Sequence, residues 1–527
     1  MTIKRKFPRS SAVLMPLNTL YGPFGIGVMG EEARGFIDFL CDSGFHGWQI
    51  LPIEHAGMCN SPYRCISTYA GEPMLIDPRM LLDMGLINEN ELSARMEGVD
   101  DDFVDYDIVR EKQWDILRVA FSRVKDSSYG SYREFNPFWL DDYSLFLSIR
   151  HHFNNEAWFN WPHEGLRSHD KSALDEYRQK LSNDIEFHQF VQWLFDMQWT
   201  ELREYATDKG ISIIGDTPIY VSDDSVEVWS RRELFNADAD GTFRSVGGVP
   251  PDYFAVDGQR WGNPIYNWDL LKEENYSWWV DRIKGSLDRY DVVRLDHFRG
   301  FEQYWDIPGD APTAKTGKWE DGPGIALFNV LEDALGDLSL SIIAEDLGII
   351  DDRVEALVKN SGFRGMRVMQ FGFLGDEVNL PHNYIEETTA YTGTHDNTTL
   401  LAWFFELSEE ERNEALFYAG FNGDWSRGGA NSPIICAWIR ILFMSASSLA
   451  VVPIQDILGY GADTRTNTPG TATGNWLFRI REGVLNDVNK DFYIALHKTF
   501  QREDPVKSFK PQEKVALAWE QAEYEPV

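Results

Sequence analysis

The sequence predicts an α/β protein, namely a (β/α)8 TIM barrel with large, partly helical insertions between its strands. Eight β-rich runs occur along the chain, near residues 12, 49, 213, 293, 343, 368, 391 and 450. Helical patterns lie between most of them, and strands that alternate with helices are typical of a parallel sheet. A chain of 527 residues fits one barrel with insertions, so we expect residues 1–527 to form a single domain.

The chain opens with a strand, a helix and a second strand. Residues 11–15 (Ser-Ala-Val-Leu-Met) and 47–53 (Gly-Trp-Gln-Ile-Leu-Pro-Ile) are apolar enough for buried strands. Between them, residues 31–43 carry an apolar stripe at helical spacing, and Gly44 suits the end of that helix. The glycine-rich loop at residues 21–27 lacks the spacing of nucleotide-binding loops, so it predicts no nucleotide site.

A mostly helical insertion is predicted between the second and third strands, at residues 55–205. The strand pattern stops there, and the helical patterns lie at residues 81–97, 107–124, 137–153 and 182–209. We expect the tryptophan and phenylalanine residues of this insertion to build its own core rather than a platform for sugar rings. Residues 211–221 then return to a strand, in which Asp216 ends the apolar run.

A second insertion is predicted at residues 222–288, and it carries an irregular loop at residues 250–264. This loop is rich in proline, glycine and aromatic residues, and ordered loops of that kind often bind or cover something. Residues 236–241 superficially resemble a calcium-binding loop. Gly247 stands where such a loop requires its bidentate glutamate, so a hairpin turn is the favoured interpretation.

The composition is that of a soluble globular protein, with 43% hydrophobic and 25% charged residues. The net charge of -35 repels nucleic acids and anionic membranes, so neither is an expected partner. No signal peptide and no apolar run of membrane-spanning length is visible. We therefore expect a cytoplasmic protein, either a monomer or a homodimer.

The cysteines show no paired spacing of the kind that metal sites use, and they are Cys41, Cys59, Cys65 and Cys436. Free thiols in a reducing compartment are the simplest account. We expect no metal and no cofactor.

Polar residues follow the fourth predicted strand within residues 291–300 (Asp-Val-Val-Arg-Leu-Asp-His-Phe-Arg-Gly). With the period of two that strands have, Arg294, Asp296 and Phe298 are expected on one face and His297 on the other. The arginine would keep the neighbouring carboxylate ionised. By itself this pair fits a structural ion pair as well as it fits a catalytic carboxylate.

Three of the predicted strands end in acidic residues. Asp296 follows the fourth strand, Glu345 and Asp346 follow the fifth, and Asp396 comes after His395 at the seventh. Because the carboxyl ends of barrel strands meet around one mouth, we expect Asp296, Glu345 and Asp396 to lie together there. A salt-bridge network is the structural alternative. A metal site is disfavoured because neighbouring histidine ligands are missing.

Carboxylates grouped without a metal suggest chemistry at the anomeric carbon of a glycoside. Cleavage there passes through an oxocarbenium-like cation, and it needs a proton donor and a nearby anion. Asp296 beside Arg294 is the candidate anion. Glu345, which follows an apolar run and faces other acids, is the candidate whose pKa is raised so that it acts as acid and then as base. Asp396 is placed to bind sugar hydroxyls.

Several ordered motifs resemble the 4-α-glucanotransferases called amylomaltase or disproportionating enzyme, glycoside hydrolase family 77. The resemblance covers nearly the whole chain. Its motifs lie at residues 21–27 (Tyr-Gly-Pro-Phe-Gly-Ile-Gly), 48–52 (Trp-Gln-Ile-Leu-Pro), 61–63 (Ser-Pro-Tyr), 215–221, 250–254, 259–264, 294–300, 344–348, 393–399 and 467–476.

The resemblance implies a role for each acid and a set of sugar-binding positions. It implies that Asp296 is the nucleophile, Glu345 the general acid/base and Asp396 the transition-state stabiliser. The implied contacts to the sugar at the cleavage point are Arg294, His297 and His395. The other implied glucan-binding residues are Ser61, Tyr63, Asp216, Tyr253, Phe254, Gln259, Trp261 and Asn467.

This chain departs from the family pattern at a few positions. Leu295 replaces the usual isoleucine, Thr466 stands where methionine is common, and residues 65–69 differ from the usual aromatic and small residues. The last difference predicts an altered acceptor side.

The implied activity is transfer of α-1,4-glucan segments from a maltooligosaccharide or starch donor to the 4-hydroxyl of an acceptor. A retaining double displacement predicts a separation of roughly 5 to 5.5 Å between nucleophile and acid/base. The loop at residues 250–264 is the candidate cover that excludes water. Two alternatives stay open: an α-1,4-glucan hydrolase on the same barrel, and a non-catalytic glucan-binding protein.

Overall fold

The structure is a computed structural model that describes residues 6–57, 59–100, 102–125, 129–238, 241–251, 256–348 and 350–507. Two predicted binding residues, Tyr253 and Phe254, lie outside the described residues. The strands are β1 (Ser10–Leu14), β2 (Gly47–Gln49), β3 (Ser212–Pro218), β4 (Ser245–Val249), β5 (Gln259–Pro264), β6 (Val292–Asp296), β7 (Gln303–Pro308), β8 (Lys318–Asp321), β9 (Ile342–Ala344), β10 (Gly365–Val368), β11 (Thr388–Tyr391) and β12 (Leu449–Pro453).

The α-helices are α1 (Glu31–Asp42), α2 (Pro78–Asp83), α3 (Glu89–Met96), α4 (Tyr106–Phe121), α5 (Gly130–Phe135), α6 (Pro137–His152), α7 (Glu164–Arg167), α8 (Lys171–Lys180), α9 (Ser182–Asp208), α10 (Val226–Ser230), α11 (Trp268–Glu273), α12 (Ser277–Arg289), α13 (Ile325–Leu335), α14 (Asp352–Ser361), α15 (Met369–Gly372), α16 (Leu400–Glu406), α17 (Glu409–Tyr418), α18 (Pro433–Met444), α19 (Ile454–Ile457) and α20 (Lys490–Phe500). No helix among the described residues is long and apolar enough to cross a membrane.

Eight parallel strands form the central sheet, in the order β10-β11-β12-β1-β2-β3-β6-β9. The two edges meet where Ile343 of β9 bridges Arg364, and the Ala344 N–H donates to the Arg364 carbonyl at 2.8 Å. This contact closes the sheet into a barrel. Each of the eight β-rich runs in the sequence is one of these strands, so the predicted (β/α)8 fold is confirmed.

The barrel strands are rich in apolar residues because both of their faces are buried. In β6, Val292 and Val293 are fully buried, and the polar residues Arg294 and Asp296 follow them. The same change from apolar to polar residues occurs after β9, where Ile342, Ile343 and Ala344 precede Glu345. The strand ends therefore carry the residues that are free to do chemistry.

A second, four-stranded antiparallel sheet was not predicted from the sequence. Its order is β5-β4-β7-β8. Strand β5 shows that the prediction of an irregular segment at residues 250–264 was wrong for residues 259–264. These residues pair with β4 despite Gly262 and Pro264, because β5 is an edge strand and tolerates both residues there. Strands β7 and β8 follow β6, so this sheet is assembled from both sides of a barrel strand.

The helical region before β3 contains three short helices that were not predicted, α5, α7 and α8, and it divides one predicted helix in two. The predicted helix at residues 81–97 is two helices, α2 and α3, separated by Gly85 in the left-handed region at φ +70°. Asn88 begins α3 with a capping box completed by Glu91, a strong start signal. Helix α9 packs on α6 at one side and on α1 and β3 at another, so it joins the helical region to the barrel.

Aromatic side chains of the helical region pack against one another. Phe121, Phe187 and Phe190 are in ring contact, and Phe190 also contacts Trp193. The rings of Phe187 and Phe190 are fully buried. These aromatic residues build a core, as the sequence predicts, and leave no flat exposed platform at this point.

Candidate active site

The pairing of β3 with β6 brings a buried aspartate to the arginine that the sequence singled out. Asp216 lies opposite Arg294 in the register of the two strands. Arg294 Nη1 donates to Asp216 Oδ2 at 2.6 Å and lies 3.0 Å from Asp296 Oδ1. One guanidinium therefore serves two carboxylates. The Asp216 side chain is completely buried, whereas that of Asp296 is 28% exposed and reaches the barrel mouth.

Asp216 is held from its other side by a tyrosine. The Tyr63 hydroxyl donates to Asp216 Oδ2 at 3.0 Å. Burial raises the pKa of the Asp216 carboxyl, and the charge of Asp296 adds to this effect. Burial also raises the pKa of the Tyr63 phenol, which therefore stays a hydrogen-bond donor at neutral pH. Tyr63, Asp216 and Arg294 thus form a fixed hydrogen-bonded support beneath Asp296.

Glu345 follows β9 directly, and two backbone amides bind its carboxyl group. The N–H of His297 donates to Oε2 at 2.7 Å, and the N–H of Leu347 donates to Oε1 at 2.9 Å. Burial raises the pKa of Glu345 to about 8, and the charge of Asp296 contributes in the same direction. Glu345 thus holds a proton at neutral pH, as expected from the sequence for a general acid. Its bond to His297, the residue after Asp296, places the two acids side by side.

The backbone reverses its direction at His297, and this corrects the predicted face of Phe298. His297 has φ +51°, so the alternation of the strand ends at Asp296. Phe298 turns into the core, where it stacks on Phe328, instead of sharing the face of Asp296. The His297 ring lies at the site, edge-on to Trp261 with 4.9 Å between ring centroids. Burial lowers the pKa of His297 to about 4, so its ring is neutral.

Asp396 lies on a loop after β11 and is bound by its neighbours. Asn467 Nδ2 donates to Asp396 Oδ1 at 2.5 Å, and His395 Nε2 lies 3.4 Å from Asp396 Oδ2. The Asn467 N–H also donates to the His395 carbonyl at 3.1 Å. Burial lowers the pKa of His395, so the ring is neutral and its contact with Asp396 is no ion pair. The Asp396 side chain is 43% exposed and open to a ligand.

Three aromatic rings connect the Asp216 side of the mouth to the Asp396 side. Tyr63 stacks on His395 with 5.3 Å between centroids and 16° between planes, and both rings contact Trp476. Trp476 lies in the motif at residues 467–476 but is not among the site residues predicted from the sequence. Only the structure shows its unusual backbone: φ of Trp476 is +66°, a value that is rare for so bulky a residue.

The remaining predicted residues contact the site through others. Ser61 Oγ accepts the N–H of Tyr63 at 3.3 Å, and Gln259 Oε1 accepts Trp261 Nε1–H at 3.1 Å. The described part of the chain holds no group of three or more histidine, cysteine or acidic side chains arranged for a metal ion. Arg465, which was not predicted from the sequence, donates to the backbone carbonyls of the site residues Asp396 and Asn467.

A family model described as 4-alpha-glucanotransferase matches residues 15–486. A 4-alpha-glucanotransferase of Thermus thermophilus is 40% identical over 493 residues, which are 91% of this chain and 96% of the relative. The chloroplastic/amyloplastic 4-alpha-glucanotransferase DPE1 of Arabidopsis thaliana is 38% identical, over 91% of this chain and 83% of the relative.

Solved structures agree with the sequence comparison. The amylomaltase from Streptococcus agalactiae in complex with acarbose superposes with a TM-score of 0.89 at 41% identity, over 94% of this chain and 99% of that chain. The amylomaltase from Corynebacterium glutamicum, at 18% identity and a TM-score of 0.73 over 94% and 75% of the two chains, shares the fold. By sequence and by structure, the chain belongs to the 4-alpha-glucanotransferase family, glycoside hydrolase family 77.

Proposed function

We propose that this protein transfers α-1,4-glucan segments from a maltooligosaccharide or starch donor to the 4-hydroxyl of a glucose or glucan acceptor, by a retaining double displacement. The observation that carries the proposal is the pairing of two unlike acids at the ends of the neighbouring strands β6 and β9. Asp296 is exposed to the mouth beside Arg294. Glu345 is protonated, and it is bound to the backbone amide of His297, the residue after Asp296. A nucleophile and an acid are the pair that retaining glycoside chemistry requires.

In the first step, a carboxylate oxygen of Asp296 forms a bond to the anomeric carbon. The bond from that carbon to the glycosidic oxygen breaks, and the leaving oxygen takes the proton of Glu345. The released glucan departs, and Glu345 becomes a carboxylate. Two backbone amides then stabilise its charge, because they already point at its oxygens.

In the second step, Glu345 takes the proton from the 4-hydroxyl of the acceptor. The acceptor oxygen bonds to the anomeric carbon, and the ester bond to Asp296 breaks. Two inversions at the same carbon retain its configuration. Asp396, fixed by Asn467, would bind sugar hydroxyls near this carbon and favour the distorted ring of the transition state.

The wall around His297 supports transfer rather than hydrolysis. Trp261 packs edge-on against the His297 ring, and Tyr220 lies against both residues. A rigid apolar wall beside the reacting carbon leaves little room for ordered water. A sugar acceptor can still displace water by stacking its ring on such a surface.

Incubation with maltotriose tests the proposal. We expect glucose and longer maltooligosaccharides to form while the total number of reducing ends stays constant. A steady rise in reducing ends would identify a hydrolase, and unchanged maltotriose would identify a protein that only binds glucan. Either result contradicts the proposed transfer.

The Asp296→Ala variant tests the assigned nucleophile in the same assay. We expect no measurable turnover and retained binding of maltotriose by calorimetry, because the variant keeps the surrounding hydrogen-bonded residues. A variant that keeps a tenth of the wild-type rate would overturn the role of Asp296.

A further inference from the structure

Arg465 binds the backbone of two site residues at once. Its Nη2 donates to the Asp396 carbonyl at 2.5 Å, and its Nε donates to the Asn467 carbonyl at 2.7 Å. The two residues are themselves joined by the bond from Asn467 Nδ2 to Asp396 Oδ1. A single guanidinium therefore fixes the backbone on both sides of the hydrogen bond that orients the Asp396 carboxylate.

The chain on either side of Arg465 is anchored to the barrel. Gln455, which lies just after β12, donates to the Thr464 carbonyl at 3.1 Å and to Thr466 Oγ1 at 2.9 Å. The Trp476 N–H donates to the Thr466 carbonyl at 2.7 Å. These contacts hold the backbone of Arg465 still, so its guanidinium is a rigid link between a barrel strand and the Asp396 loop.

The conformation of Trp476 is fixed from the other side by residues far away in the sequence. The Trp476 carbonyl accepts the Tyr106 hydroxyl at 2.9 Å and Asn18 Nδ2–H at 3.2 Å. Backbone held in the left-handed region is strained for a bulky residue, and such strain persists only where the surroundings impose it. The segment from Thr464 to Trp476 is thus fixed at both ends, and Arg465 is its contact with the Asp396 backbone.

We propose that Arg465 is a positioning residue for the transfer reaction, acting through Asp396 and Asn467. The planar guanidinium suits this task because its donors lie in a fixed fork and can satisfy two carbonyls together. Without it, the Asp396 loop keeps its hydrogen bond to Asn467 but loses the link that places both residues relative to β12. The inference rests on the proposed function, since it concerns the orientation of Asp396 during glycosyl transfer.

Kinetics with maltotriose test this inference in the full-length protein. For Arg465→Ala we expect kcat to fall on the order of 100-fold while KM changes little, because misplacement of a transition-state group affects the chemical step. Arg465→Lys should recover only part of the loss. Added methylguanidinium should raise the activity of Arg465→Ala and leave the wild type unchanged.

The double variant Arg465→Ala/Asp396→Asn separates positioning from a general loss of structure. If Arg465 acts through Asp396, the double variant is no slower than Asp396→Asn alone. Arg481→Ala is the matched control, because this exposed arginine pairs with Asp102 in the same part of the chain, and its kcat should equal that of the wild type.

Two results would overturn the inference: an unchanged kcat in Arg465→Ala, or losses that multiply in the double variant. If Arg465→Ala fails to fold, Arg465→Lys carries the test, and a wild-type kcat in that variant counts against the inference. Failure of the proposed function is distinct, because the wild type itself would then form no transfer products.

Discussion

At the scale of single residues, exposure distinguishes the two aspartates that share Arg294. The Asp216 side chain is fully buried and bound by Tyr63, so it cannot reach an anomeric carbon. Asp296 makes the same ion pair from the open side of the guanidinium. A nucleophile must be held in place and accessible, and in this site Asp296 fits both requirements. We therefore interpret Asp216 as the residue that orients Arg294.

Glu345→Gln should change how stability depends on pH. The pKa of Glu345 is raised from 4.5 to about 8, so the folded protein holds a proton that the unfolded chain releases above pH 4.5. Wild-type stability should therefore fall as the pH rises from about 5 to 8 relative to the variant, by roughly 3 to 4 kcal/mol. Thermal unfolding midpoints of both proteins across this range measure the effect.

Parallel curves for the two proteins would contradict the raised pKa of Glu345. Glu332→Gln is a suitable control, since this residue lies on helix α13 away from the strand ends. Its curve should run parallel to that of the wild type. The assignment of Glu345 as the acid also predicts that Glu345→Gln is inactive in the maltotriose assay at every pH tested.

At the scale of elements, the barrel could be predicted but the second sheet could not. Barrel strands are buried on both faces and appear as apolar runs, and they end where residues such as Asp296 and Glu345 begin. Strands β4 and β5 contain glycine, proline and polar residues, and their pairing arises from tertiary contacts rather than local preference. For a related reason, Asp216 could not be predicted as the partner of Arg294, because the register between β3 and β6 decides which residues lie opposite each other.

The turn at His297 was equally invisible in the sequence. The period-two pattern of the sequence continues through Phe298. The strand in the structure ends at Asp296, and His297 after it lies in the left-handed region. Because of this turn, the His297 amide points to Glu345 and its ring points to Trp261. Sequence reasoning therefore located His297 at the site but gave the wrong orientation for the residue after it.

Helix α9 should lose stability in acid because of His188. This residue is buried beside Trp114 and His151, and neither ring nitrogen has a hydrogen-bond partner among the described residues. Burial, with the nearby charges of His151, Arg118 and His55, lowers its pKa well below 6.5. The folded protein thus resists protonation that the unfolded chain accepts below pH 6.5, and stability falls as the pH drops through that value.

His188→Leu should remove part of this acid sensitivity. We expect the thermal midpoint of the variant to fall less than that of the wild type between pH 7 and pH 5, by several degrees. His152→Leu is the control, because His152 is exposed at the end of α6. Equal slopes for wild type and His188→Leu would show that His188 is not the titrating group.

The second sheet should control the choice between sugar and water. Trp261 on β5 covers the His297 ring, so Trp261→Ala should open a path for water to the covalent intermediate. We expect the ratio of hydrolysis to transfer from maltotriose to rise several-fold, measured as new reducing ends per transfer product. Trp305→Phe on β7 of the same sheet is the control and should leave the ratio unchanged. If Trp261→Ala keeps the wild-type ratio of hydrolysis to transfer, the second sheet does not control the choice between sugar and water.

At the scale of the whole molecule, the two ends of the barrel have separate tasks. The carboxyl ends of the strands hold the site, and the amino ends hold the contacts between the beginning and the end of the chain. Arg9, just before β1, donates to the carbonyls of Phe443, Ser447 and Phe500. Residues near 500 are thereby fixed to the first and last barrel strands. A substitution at the amino ends of the strands should therefore change the free energy of unfolding without changing the reaction at the carboxyl ends.

Arg502→Met tests this division between the two ends of the barrel. Arg502 is fully buried and donates to backbone carbonyls that include those of Ser10 at the start of β1 and Ser448 just before β12. Removing its guanidinium removes these buried, charge-assisted hydrogen bonds, so we expect a loss of about 3 kcal/mol in the free energy of unfolding. Urea titration measures this loss, and kcat at 25 °C should stay at the wild-type value because the active site lies at the opposite end.

Arg34→Met provides the comparison for this last prediction. Arg34 on α1 forms a single exposed ion pair with Glu201 at 3.2 Å, and pairs of this kind contribute less than about 1 kcal/mol. Equal losses in the two arginine variants would mean that the buried contacts of Arg502 add no more stability than an exposed ion pair. A drop in kcat in Arg502→Met under conditions where it is fully folded would mean that the two ends of the barrel are coupled.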